Sequence, residues 1–240
     1  MHVEFSGGSP ISMRMACAAL LMLAAAGAMA QTVTPAATPA PATAPSPALP
    51  ATLGHPVALP EIDPAKEIKG MALVEALRKG GFVFYMRHAL QIVPTEGPCV
   101  GSNLQPKGEA DARAVGAAIR ALKIPIGRVM SSEPCRNLDT AKLLDLGPNE
   151  VTIDLNAGGG PQGYDLGAAR TRRLAEMPRA GTNTILVSHV HGSRKKSEWL
   201  HLETAEIIVF KPDGNGGKEP VARIRVERWQ ELMQLAGIKP

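Results

Sequence analysis

The sequence predicts an α/β fold, a three-layer sandwich with a mostly parallel central sheet flanked by helices. Three observations predict it. Residues 82–86 (FVFYM) and 184–187 (TILV) are unbroken apolar runs of strand length, as expected for strands buried on both faces. Between them lie longer segments whose apolar residues recur at helical spacing. Strands and helices alternate along the chain, which is the order that builds a parallel sheet with crossover helices.

The elements follow in order. Asp63-Pro64 reads as a helix cap and first turn, Gly80-Gly81 as the stop, with Met71, Val74 and Leu77 on one face. The strand 82–86 ends at Arg87-His88. A helix over 107–123 carries Ala112, Val115, Ile119 and Leu122 on its apolar face. Val129-Met130 is a short strand ending at Ser131-Ser132, and 136–146 reads as a helix. Residues 151–154 read as a strand, Gly158 to Pro161 as a break, and 166–177 as a helix. The strand 184–187 ends at Ser188-His189. Two further strands, 206–210 and 221–226, flank the turn-rich 213–217, and 229–236 closes the chain as a helix.

Composition limits the function classes. Hydrophobic residues at 45% and charged residues at 20% describe a globular chain. Four Phe, two Trp and two Tyr leave the core to aliphatic side chains. A net charge of +4 is too small and too dispersed for nucleic acid, and it mildly favours an anionic small molecule or cell surface.

The chain divides into three parts. Residues 1–30 read as a signal peptide: Arg14, an apolar run from Met15, and Ala28-Met29-Ala30 before Gln31. The run is short for a membrane span, which needs about 20 apolar residues, so no transmembrane segment is expected in the mature chain. Cys17 opens the run, a poor place for lipid attachment. Residues 31–60, rich in Ala, Pro, Thr and Ser, read as a disordered linker. Residues 61–240 form the folded domain. The expected location is periplasmic or secreted, after cleavage near Ala30. Export would leave Cys99 and Cys135, either as a disulfide or as two free thiols.

Three polar clusters directly follow strands: Arg87-His88, Ser131 to Arg136, and His189. Open α/β sheets bind ligands beyond the carboxyl ends of their strands. Two histidines and two arginines would meet there. A guanidinium fork matches phosphate oxygens, and a neutral imidazole can attack phosphorus. No Gly-x-Ser-x-Gly elbow makes Ser131 or Ser132 a nucleophile. His189 and His191 form a His-x-His pair, a common metal arrangement, but no carboxylate or cysteine partners accompany it, so no metal is expected. Arg194-Lys195-Lys196 reads as a solvated loop or an attractor for an anion.

These motifs resemble the histidine phosphatase superfamily, with its phosphoglycerate-mutase-like fold. The residues FVFYMRHA at 82–89 resemble its first strand and Arg-His signature. Lys107-Gly108 and the Ala-rich helix behind them, then VMSSEPCRNLDTAKL at 129–143, 184–189, and Glu206 with its strand, follow in the family's order. The resemblance covers roughly 80–213. It implies that His88 becomes a phosphohistidine, that Arg87, Arg136 and His189 bind the phosphoryl group, and that water completes the hydrolysis without a cofactor. Cysteines and a signal peptide resemble an exported branch, some members of which are linked to lipopolysaccharide core phosphates. The expected partner is an anionic phosphorylated small molecule or envelope glycan.

One family device is missing. Val190 follows His189 where an Asp often serves as general acid. Asp154 is the best remaining candidate, with Glu133 and Asp165 behind it. Two alternatives to a phosphomonoesterase follow: a phosphohistidine phosphatase, whose nitrogen leaving group needs less acid assistance, and a binding module of the same fold without turnover.

Overall fold

In chain order the elements are helix α1 (Gly70–Lys79), strand β1 (Val83–Arg87), α2 (Pro106–Ala121), β2 (Ile126–Ser131), α3 (Cys135–Leu144), β3 (Asn149–Val151), a 3-10 turn (Ile153–Leu155), α4 (Leu166–Ala175), β4 (Asn183–Ser188), β5 (Ile207–Pro212), β6 (Lys218–Ile224) and α5 (Val226–Leu235). The structure, a computed structural model, describes residues 62–92, 103–157, 161–189 and 202–239. All of these lie in one unit, 53–240. The segments 1–30 and 31–60, Cys99, Gly158 to Gly160, His191 and Arg194 to Lys196 lie outside the described residues.

The sheet order is β3-β2-β4-β1-β5-β6. The first four strands are mutually parallel; β5 runs antiparallel to β1, and β6 antiparallel to β5. Alternate side chains of β1 divide between two cores. Phe84 and Met86 join Leu77, Val115, Ile119, Leu144 and Trp229 on the face covered by α1, α2, α3 and α5. Val83 and Tyr85 join Leu155 and Leu174 on the face covered by α4 and the 3-10 turn. This is the three-layer sandwich expected from the alternation of elements.

Register places the site. Arg87 pairs with Ser188 across β1 and β4, and Ser131 pairs with Val187 across β2 and β4. His88, Ser132 and His189 therefore leave the sheet side by side at one edge. Two glycines allow close packing of the helices, Gly108 beside that edge and Gly116 against the far end of α3. A Cβ on Gly108 would stand 2.3 Å from the carbonyl oxygen of Leu90, two residues beyond His88. One on Gly116 would stand 1.9 Å from the carbonyl oxygen of Leu144, at the end of the helix bearing Arg136.

Several boundaries differ from the sequence reading for local reasons. Asp63 does order a turn, accepting from the Ala65 N–H at 3.0 Å, but α1 starts only at Gly70. Between them the chain runs beside β6, where the Ile68 N–H reaches the Val221 carbonyl at 2.8 Å. The strand expected over 151–154 ends at Val151, because Thr152 accepts the Asp154 N–H and turns the chain into the 3-10 turn. The pair β5–β6 is tighter than expected: Asp213 takes the N–H groups of Asn215 and Gly217, so β6 starts at Lys218.

Candidate active site

His88 follows β1 directly and is 6% exposed. Its N–H donates to the Ser188 carbonyl at 2.9 Å. Its ring Nδ1 lies 2.9 Å from the Ala89 carbonyl oxygen. A carbonyl only accepts, so Nδ1 carries the proton and Nε2 keeps a lone pair. Burial pushes the His88 pKa down to about 4; the Ala89 bond opposes this, and the charges of Arg136 and Arg87 add to it. The ring is thus neutral at physiological pH.

His189 follows β4 and is 3% exposed. Its ring centroid lies 5.4 Å from that of His88, with the planes at 67°. Its Nε2 is 2.8 Å from Ser132 Oγ, and its Nδ1 is 3.1 Å from Arg136 Nη2. Tyr85 holds the backbone here, donating from one hydroxyl towards the His189 carbonyl at 2.9 Å and Ser188 Oγ at 3.0 Å.

Arg87 ends β1 and donates from Nη1 to the Leu202 carbonyl at 2.9 Å. Arg136 lies in the first turn of α3. Burial lowers the pKa of both guanidinium groups. The Nε atoms of both are buried without a hydrogen-bond partner among the described residues. An unpaired buried donor on a cation is costly, and the charges of both cations are felt at His88, so the cluster is one that an anion would stabilise.

Helix α3 is tied to the edge by neutral groups. Asn137 Nδ2 donates to the Ser188 carbonyl at 2.8 Å, the same oxygen that accepts from His88. The sequence reading missed Asn137 and Tyr85. Tyr85 did carry a signal: a phenol in an otherwise apolar, doubly buried strand must find a partner. No such signal marks Asn137, whose partner lies in a strand 51 residues away.

Of the residues expected at the site, the structure brings Arg87, His88, Arg136 and His189 together. Asp154 has other commitments. Arg173 Nε donates to its Oδ2 at 2.7 Å, and the Tyr164 hydroxyl donates to its Oδ1. Burial works to raise its pKa, but the Tyr164 and Arg173 bonds outweigh it and hold the carboxyl below its ordinary range. It is a carboxylate at neutral pH, without a proton to give. Glu133 exchanges bonds with Asn156, its Oε2 accepting from Nδ2 at 2.7 Å. Asp165 caps α4 through the Ala168 N–H at 2.9 Å. Cys135 is disulfide-bonded. No cluster of three or more His, Cys, Asp or Glu suited to a metal ion occurs among the described residues. No helix among them is long and apolar enough to cross a membrane.

Fold and side chains together define an α/β protein with a cluster of two imidazoles and two guanidinium groups at one sheet edge. No family model and no curated protein matches the chain. Solved structures do. One is the protein histidine phosphatase SixA complexed with tungstate, at 19% identity and a TM-score of 0.45, over 61% of this chain and 98% of that one. Another, assigned as a SixA phosphohistidine phosphatase from Nakamurella multipartitia, shows 18% identity and a TM-score of 0.42 over 60% and 95%. A third, assigned as an alpha-ribazole-5'-P phosphatase from Escherichia coli, shows 12% identity and a TM-score of 0.45 over 61% and 98%.

Proposed function

We propose that this chain is a histidine phosphatase that hydrolyses phosphate monoesters through a phosphohistidine on His88. The observation that carries the reading is the pairing of a neutral, buried His88, its Nε2 lone pair available, with two half-satisfied guanidinium groups. Nε2 attacks phosphorus, the bond from phosphorus to the ester oxygen breaks, and the leaving oxygen departs as the anion or takes its proton from water. Water then attacks the phosphohistidine, the P–N bond breaks, and inorganic phosphate leaves. Arg87 and Arg136 neutralise the equatorial oxygens, which is most of what phosphoryl transfer asks of a protein, and His189 holds Arg136 at the cluster.

The ion-paired state of Asp154 favours substrates whose leaving groups need little acid assistance. Aryl phosphates and phosphohistidine meet that condition, so phosphohistidine hydrolysis is the second reading. The cleavage signal at 28–30 and the linker 31–60 support export to the periplasm or medium, with envelope phosphates such as those of lipopolysaccharide core as substrates. We also assign Cys99 as the partner of Cys135, which a non-reducing peptide map would test.

Turnover of p-nitrophenyl phosphate by the mature protein, compared with His88→Ala, tests the reading. Loss in the variant supports it. Equal rates, or no turnover in either, mean a phosphate-binding module without catalysis.

A further inference from the structure

Ser132 lies inside the site beside His189, and its hydroxyl has a definable task. It is fully buried, and its N–H is fixed to the Val187 carbonyl at 3.1 Å, so its Oγ has a set position against His189. A guanidinium group has donors only. The Nδ1 of His189, 3.1 Å from Arg136 Nη2, must therefore present a lone pair. A neutral ring then carries its one proton on Nε2, and Ser132 Oγ at 2.8 Å accepts it. A doubly protonated ring would set its Nδ1–H against the N–H of Arg136. The two imidazoles thus carry opposite tautomers: His88 is protonated on Nδ1 towards Ala89, His189 on Nε2 towards Ser132.

We infer that Ser132 is a positioning residue that fixes the tautomer of His189 and, through it, the resting place of Arg136. The inference rests on the phosphatase reading for its catalytic consequence, but its physical content is independent of turnover. Without the hydroxyl, the Nε2–H is buried and unsatisfied. Protonation on Nε2 then loses its buried partner, the ring exchanges between tautomers, and whenever Nδ1 is protonated an N–H faces Arg136 and the contact that holds it is lost.

The test uses the mature protein labelled with 15N-histidine, the His189 signals being assigned by their loss in His189→Gln. The wild type is expected to show His189 as one neutral tautomer protonated on Nε2. Ser132→Ala is expected to lose that signature and to lower kcat on p-nitrophenyl phosphate by about ten- to a hundredfold, as loss of an orienting partner does elsewhere. Ser132→Thr, which keeps the hydroxyl, is expected to restore both. A wild-type His189 protonated on Nδ1, or an unchanged signature in Ser132→Ala, overturns the inference, even if kcat falls. Should the wild type not turn over at all, the phosphatase reading fails, and the nitrogen spectra alone uphold or overturn the role of Ser132.

Discussion

Thr140 and Ala89 are joined by a hydrogen bond of 3.0 Å, from the Ala89 N–H to Thr140 Oγ1. The same hydroxyl donates to the Arg136 carbonyl at 2.6 Å. One fully buried oxygen thus links the residue after His88 to the turn that carries Arg136. Thr140→Val preserves shape and removes both bonds, leaving a buried N–H unpaired. The expected loss is about 1–3 kcal/mol, read from the shift of the urea midpoint at constant slope. Activity should fall as well, because His88 and Arg136 lose their common reference.

The pH dependence follows from His88. Its folded pKa is pushed down from 6.5 to about 4 by burial. As a nucleophile it must be neutral, so the acid limb of kcat/KM is expected near pH 4, well below that of an ordinary histidine. The stability sign is fixed by the same depression. Between pH 6.5 and 4 the unfolded chain binds a proton that the folded chain does not. This contribution is intact above pH 6.5 and is lost as the pH falls. Moving from pH 7.5 to 5 should cost about 2 kcal/mol, and His88→Ala should flatten that part of the profile. Urea unfolding at the two pH values measures it.

Asp154→Asn separates a structural carboxylate from a general acid. Arg173 and Tyr164 occupy both carboxylate oxygens, so the account expects kcat on p-nitrophenyl phosphate to stay within a few-fold of wild type. A general acid would cost about 10²–10⁴-fold. Running the variant on an alkyl phosphate, whose leaving group needs the proton most, makes the comparison sharper.

The convergence of Arg87, His88, Arg136 and His189 was legible because their positions follow from burial. Arg87-His88 and His189 come straight after strands hydrophobic on both faces, and parallel neighbours in register bring such ends together. Arg136 was legible from its place in the first turn of the helix after Ser131-Ser132. The state of Asp154 was not legible, since it depends on Arg173, 19 residues onward, and on Tyr164 in an irregular segment. Asn137 was hidden for a similar reason: its partner is a carbonyl that any residue could supply. The start of α1 was misplaced because a good cap at Asp63 was outcompeted by pairing with β6, a long-range contact that local sequence does not encode.

The most direct measurement is to trap the phosphoenzyme. Mature protein would be mixed with a phosphorylated substrate, quenched, digested, and searched by mass spectrometry for acid-labile, alkali-stable phosphate. The account predicts phosphate on the peptide holding residue 88, attached to the imidazole and missing from His88→Ala. Turnover that continues at the wild-type rate in His88→Ala, or phosphate trapped on a different side chain, would contradict it.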